Sequence, residues 1–315
     1  MSSLKFVLAD LVRRGGQRLV ALGRRNGFED EEKTKLVLNE FGLHLTLEKH
    51  SFFTRKLWLP RSLKEESGVV FSLVNGEELL IETKNFKAIV QSEEDLFILN
   101  EILVAGTYNF DHHRPVVVLD VGMNAGIAAL SFAAMENVLA VIGYEPFSRT
   151  YQQAQRNFGL NPELASKIIT HNTGLGAYER NLTVEYCYEW KGSVSILGFP
   201  DHKRPGQTIS AEDIVLEDVC KVLDSIVARY PGIDIVAKID CEGAEYELIE
   251  ALCSANKISA VKIIMMEWHN NGPETLMNRL RASGFSAFSL MPNGKVGMIY
   301  SVNSDSGFTA TQVGS

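Results

Sequence analysis

This 315-residue sequence has few cysteines, no long apolar run and no excess of positive charge. Cys187, Cys220, Cys241 and Cys253 show no C-x-x-C spacing and no neighbouring histidine cluster, which argues against a disulfide framework or a structural zinc site. A reducing cytoplasm is the expected setting. No stretch is apolar for long enough to span a bilayer, and the opening MSSLKFVLADLVRRGGQRL lacks the unbroken apolar region of a signal peptide. The 31 Lys and Arg stand against 39 Asp and Glu, and a formal charge of -8 disfavours nucleic acid as the main partner. A small or neutral substrate fits better. No internal repeat or low-complexity segment is present. What remains is 45% hydrophobic and 22% charged, enough for one large domain carrying an N-terminal accessory region.

The accessory region is expected over residues 1–91 and the main domain over 92–315. Residues 1–26 carry six basic side chains against Asp10 alone, interleaved with apolar residues at near-helical spacing. Such a basic amphipathic helix either docks with a solvated polar face or touches an anionic membrane, and Gly15-Gly16 interrupts it. Residues 40–91 alternate apolar and polar, with the hairpin signal Asn75-Gly76, so a small β-rich cap is expected. Ser92, followed by acids and an apolar face, predicts a helix ending at Gly106. From Val116 onward, VVVLDVG, LAVIGYE, KIITHN, DIVAKID and VKIIMMEW alternate with amphipathic stretches, the pattern of a parallel α/β sheet covered on both faces. TVEYCYEWKGSVSIL reads as an inserted β-hairpin, and SAFSLMPNGKVGMIYSV as a closing hairpin around Pro292-Asn293-Gly294.

Two carboxylates in this pattern point to a nucleotide-like ligand. Asp120-Val-Gly122-Met-Asn124-Ala-Gly126 lies where a buried strand turns into a helix, and its glycines allow close backbone approach to a ligand. Asp120 is a poor neighbour for pyrophosphate but suits the cationic amino-acid end of S-adenosylmethionine, which weighs against NAD. Glu145 ends the next strand, where a carboxylate accepts hydrogen bonds from ribose hydroxyls. A purely structural turn and a helix-start acid are the bland alternatives.

The segments LDVGMNAG, YEPFSRTYQQAQRNFGLN, LGAY and KIDCEGAEYELIEAL resemble the FkbM family of methyltransferases, over residues 95 to 302. The resemblance implies a class I methyltransferase fold, Rossmann-like, with seven strands of which the last is antiparallel. It implies methyl transfer to a hydroxyl of a sugar, glycan or natural product, with S-adenosyl-L-methionine as cofactor. Asp120, Gly122, Asn124 and Gly126 would hold the methionine part, Glu145 the ribose, and Asn172 and Thr173 would flank the adenine. Tyr108 would close over the cofactor. Met123 departs from the family, which has a small residue there.

Asp240 and Glu242 follow a strand end, with Glu245 beyond them, and can orient or deprotonate an acceptor; positioning the cofactor and starting a helix are the alternatives. Glu267 and His269 end the fifth strand, and His269, which titrates near neutrality, is the leading general-base candidate. Trp268 between them is expected to pack. No metal is expected, because the consecutive Asp-Asp or Asp-Asn pair of metal-dependent methyltransferases is missing. Most of the acceleration should come from alignment. Tyr186, Tyr188 and Trp190, with the N-terminal cap, are then the expected specificity wall, unless they are core. Two other readings stay open: a cofactor-binding scaffold recruited by its N-terminal helix, and an NAD-dependent oxidoreductase, which lacks its Tyr-x-x-x-Lys pair. Self-association into a homo-oligomer stays open too.

Overall fold

The run Val116–Val121 is buried at every position, as a strand is when both faces of its sheet are covered. It belongs to a computed structural model that describes residues 35–187, 209–290 and 294–303 and divides into two units, Met1–Thr107 and Tyr108–Ser315. The division falls after the helix expected to open the main domain, not before it. The basic helix expected over residues 1–26 lies outside the described residues. Among the described residues no helix is long and apolar enough to cross a membrane.

In the first unit β1 (Lys35–Leu38) pairs antiparallel with β2 (Leu43–Thr46), followed by α1 (Leu47–Arg55) and α2 (Trp58–Ser67). Then β3 (Val70–Val74), β4 (Glu78–Glu82) and β5 (Lys87–Val90) form an antiparallel sheet in that order, and α3 (Glu93–Leu103) closes the unit. Asn75 and Gly76 take the positive φ that their hairpin requires. Ser92 Oγ accepts from Asp95 N while Asp95 Oδ2 accepts from Ser92 N, the capping box that sets where α3 begins. The β-rich reading of this region needs correcting at α1 and α2. Leu59 and Leu63, one helical turn apart, are both fully buried, and the surrounding alternation hid that period.

The second unit runs β6 (Val116–Val121), α4 (Ile127–Ala133), β7 (Val138–Tyr144), α5 (Ser148–Gly159), α6 (Pro162–Ala165), β8 (Ile168–His171) and β9 (Gly174–Gly176). It continues through β10 (Arg180–Cys187), β11 (Ile209–Asp218), α7 (Val219–Arg229), β12 (Asp234–Ile239) and α8 (Glu245–Ser254). Last come β13 (Val261–His269), α9 (Glu274–Ala282), β14 (Phe285–Leu290) and β15 (Val296–Asn303). Seven strands form the sheet β14-β15-β13-β12-β6-β7-β8, in which only β15 runs against its neighbours, set between β13 and β14. The mostly parallel, Rossmann-like sheet with an antiparallel last strand is therefore present. Its registers, Ile239 beside Val121, Val121 beside Tyr144 and Ile239 beside Met266, bring the carboxyl ends of β12, β6, β7 and β13 side by side.

The inserted hairpin differs from expectation. Strand β10 pairs with β11, from Arg180 opposite Leu216 to Cys187 opposite Ile209, so TVEYC finds its partner beyond SVSIL. Residues 188–208, with Tyr188 and Trp190, lie outside the described residues, as do Pro292 and Asn293 of the last turn. The strands of that closing hairpin, β14 and β15, pair as expected.

Candidate active site

After β6 the chain turns through Gly122 to Gly126 into α4. The N–H groups of Gly122 and Met123 both donate to the Tyr144 carbonyl, at 3.1 and 2.9 Å, tying the turn to the end of β7. Gly122, at φ +76, lies so close to β12 that a Cβ would overlap the carbonyl oxygen of Asp240. Glu145 braces the same turn: Oε2 accepts from Asn124 N at 2.9 Å and Oε1 from Phe147 N at 3.0 Å. The residue expected to hold a ribose is thus fixed by the turn expected to hold the methionine part. Met123, the departure from the family, is buried against Gly143, whose missing side chain makes the room. Asn172 Nδ2 donates to the carbonyls of Glu145 and Pro146, at 3.0 and 3.1 Å. Thr173 gives its hydroxyl to Glu217 at 2.7 Å.

Lys238, one strand over, organises the charge. Its Nζ lies 3.3 Å from Asp120 Oδ1 and 3.6 Å from Asp240 Oδ2, and donates to the Gly122 carbonyl at 2.5 Å. Burial alone would push this ammonium down, but Asp120 and then Asp240 outweigh it and hold its pKa above the usual lysine value. Burial pushes the Asp120 carboxyl up, against the pull of Lys238. Asp120 is 0% exposed, and although Lys238 is within ion-pair reach, neither carboxylate oxygen has an aligned hydrogen bond. Asp120, expected to meet a cationic ligand, here lies beside Lys238 and is closed off from solvent. Tyr108 does reach the site: its hydroxyl donates to Asp240 Oδ2 at 3.3 Å, and its ring lies 5.5 Å from Lys238 Nζ.

The end of β13 meets the start of α8. Glu245, fully buried, accepts from Gly243 N on Oε2 and from His269 N on Oε1, both at 2.7 Å. The same Oε1 lies 3.4 Å from His269 Nδ1, which turns Nε2 toward Glu242 Oε2 (3.5 Å) and Glu267 Oε1 (3.9 Å). Burial would lower the imidazole's pKa, but the bond with Glu245 and the charges of Glu242 and Asp240 hold it up at about 9. The carboxylates around the ring thus favour its protonated form.

Asp240, Glu242, Glu267 and His269 therefore gather at one end of the sheet, beside Tyr108 and the Gly122 turn. Tyr186 does not join them. It is buried, stacks on Phe147 at 4.8 Å and bonds Thr150 through its hydroxyl at 2.7 Å, so it is core rather than specificity wall. Trp268 is fully buried as expected. Sequence reasoning missed Lys238, whose signal was a lysine inside an otherwise apolar strand, and neither of its readings of Glu245, an acceptor-side carboxylate or a helix-start acid, included the grip on His269.

The sequence pattern of the methyltransferase FkbM domain matches residues 120–286, more than half of the chain. No curated protein sequence matches it. Among solved structures the chain is similar to a human methyltransferase 10 domain containing protein, at 12% identity over 79% of this chain and 96% of that one, with a TM-score of 0.38. It is also similar to the N-terminal domain of human METTL16 in complex with SAH, at 14% identity over 86% and 88%, TM-score 0.38. A ribosomal protein L11 methylase from Lactobacillus delbrueckii subsp. bulgaricus gives 14% identity over 61% and 72%, TM-score 0.33.

Proposed function

We propose that this chain, which belongs to the family of FkbM methyltransferase domains, moves a methyl group from S-adenosylmethionine to a hydroxyl of a sugar, glycan or natural-product acceptor. The observation that carries this reading is the brace between Glu145 and Asn124 N, which joins an acid at the end of β7 to the turn after β6. A carboxylate held there can accept hydrogen bonds from the two hydroxyls of a ribose diol, and the acids at the neighbouring strand end suit a cationic sulfonium and ammonium. The group supplies an electrophilic methyl when bound.

The chain's own residues would divide the remaining work. Glu145 holds the two ribose hydroxyls, with Asn172 keeping the Glu145 backbone in place through its carbonyl. Asp120 acts from beneath: with Lys238 it anchors the Gly122 turn to β12, so its effect on the ligand is positional. Tyr108 orients Asp240. Asp240, Glu242 and Glu267 face the acceptor and take up the hydroxyl proton, and His269 as imidazolium offsets their charge. Alignment of acceptor and methyl supplies more of the acceleration than the proton transfer does.

Calorimetry on the full chain tests the cofactor half. S-adenosylmethionine should bind in the micromolar range and NAD should not, and Glu145→Gln should weaken the former by about tenfold to a hundredfold, the loss of one or two charge-assisted hydrogen bonds. Binding of NAD instead, or no change in the variant, sinks the reading. Mass shifts across a panel of hydroxylated sugars and natural products then test the acceptor half. Transfer to nitrogen or carbon acceptors alone would overturn it.

A further inference from the structure

We propose that Asp240, Glu242 and His269 form a divalent-cation site, open on one side to the hydroxyls of an acceptor. One ligand atom from each lies within 4.8 Å of the other two. Ligands around a cation at about 2.0–2.6 Å stand roughly 3 to 5 Å apart, so the three groups need only small side-chain rotations to close on an ion. Asp240 and Glu242 are two residues apart, and His269 is distant in sequence. The parallel pairing of β12 with β13, which sets Ile239 beside Met266, brings the residues after one strand to the last residue of the other. That is how a site arises without the consecutive Asp-Asp or Asp-Asn pair.

A second observation separates this from a mere cluster of acids. His269 is 5% exposed, and its Nε2, turned into the gap by the hold of Glu245 on the other side of the ring, makes no hydrogen bond. Its nearest charged neighbours are Glu242 at 3.5 Å and Glu267 at 3.9 Å, both beyond a good hydrogen bond. An imidazole with one nitrogen on a buried carboxylate and the other facing acids is the arrangement that orients histidine toward a metal, and binding an ion there releases the Nε2 proton of the metal-free imidazolium, the ion taking over its positive charge. Asp240, Glu242, Glu245 and Glu267 surround the ring, and Lys238 is the cation paired with Asp240.

Two carboxylates and one imidazole are a mixed oxygen and nitrogen set, which suits Mn²⁺ better than the all-oxygen preference of Mg²⁺ or Ca²⁺. Three protein ligands leave coordination positions for water, and two adjacent hydroxyls could replace those waters. The acceptor class that follows is a vicinal diol. This use of the ion rests on the methyltransferase reading, whereas the binding of the ion does not.

The test is a titration of Mn²⁺ into the full chain, followed by the loss of the free ion's paramagnetic resonance signal, without cofactor or acceptor. One ion per chain should bind in the micromolar range. Glu242→Gln and Asp240→Asn should each weaken it by about tenfold or more, with circular dichroism confirming the fold, while Glu66→Gln in the first unit should not change it. Absence of binding by the folded wild type, or equal binding in both site variants, overturns the proposal. S-adenosylmethionine calorimetry on the same preparation keeps the two readings apart. Cofactor binding without Mn²⁺ binding removes only the cation site, and Mn²⁺ binding without cofactor binding removes only the methyltransferase reading.

Discussion

Replacing Gly122 by alanine should damage the protein through its backbone as well as its packing. Gly122 sits at φ +76, where an alanine costs about 1–2 kcal/mol. Its new Cβ would also overlap the backbone oxygen of Asp240 and lie 2.9 Å from the carbonyl carbon. Backbone of a central strand end cannot swing aside as a flexible side chain does, so β6 and β12 must part, at a further cost of about 1–3 kcal/mol. A combined loss of about 3 kcal/mol, at about 2–4 °C per kcal/mol for a unit of this size, lowers the melting temperature by roughly 6–12 °C. Gly232 is the control. It has the same φ of +76 but nothing within 4 Å of its would-be Cβ, so Gly232→Ala pays the conformational cost alone, about 1.5 kcal/mol at mid-range or roughly 3–6 °C. Calorimetric melts of the two variants decide the matter. Equal shifts would refute the claim that the turn is pressed against the end of β12, and with it the placement of the site where those two strands meet.

Two other substitutions probe the buried charges. Lys238→Met removes the cation beside a fully buried Asp120 and should cost about 3–5 kcal/mol. Burial already raises the Asp120 pKa, so the variant can recover by protonating it: the folded state then holds a proton that the unfolded state has lost. Stability of the variant relative to wild type should therefore fall as pH rises, and melts at pH 5 and pH 8 with no such difference would show that Asp120 is not the group left stranded. Glu245→Gln should cost about 3 kcal/mol, because an amide nitrogen must face either Gly243 N or His269 N, both of which donate at 2.7 Å. An unchanged melting temperature in urea or heat would mean that Glu245 only starts a helix.

The sheet was legible where a strand is buried on both faces, because such a strand is an unbroken apolar run. Val116–Val121 is the clearest instance, and the strands read from the apolar runs between Val116 and Trp268 all lie in the main sheet. Strand β11 was not legible. ISAEDIVLED is exposed at several positions and breaks the alternation with acids, so it resembles a loop until its pairing with β10 is seen. Helices α1 and α2 were hidden for the opposite reason, since a region rich in alternation contains a helical period only in part. At the site, Asp120, Glu145 and Asp240 stood out because each ends or follows an apolar run. Their electrostatic partners did not: the contact of Lys238 with Asp120 joins two strands far apart in sequence, and periodicity reports burial without reporting which buried groups meet. Hence the lysine beside Asp120 was not foreseen.

Met123 shows the same limit, in a form that an experiment can turn into a sign change. The family resemblance marks position 123 as small, and the chain places a fully buried methionine there, over Gly143 in β7. A Cβ on Gly143 would overlap Met123 Sδ and lie 3.1 Å from its Cγ, so the absent side chain on one strand is the space taken by the present one on the next turn. Gly143→Ala alone must therefore displace the thioether, at about 1–2 kcal/mol, less than a backbone clash because the far end of a methionine can move. Met123→Ala alone opens a cavity and costs about 2–5 kcal/mol. In that background the obstacle is gone, and alanine within a strand is better than glycine by about 0.5–1 kcal/mol, with the added methyl filling part of the void. Gly143→Ala should thus destabilise the wild type and stabilise Met123→Ala. Urea denaturation of the four proteins gives the cycle, and additivity within about 0.5 kcal/mol would show that the two residues are not each other's reason for being there.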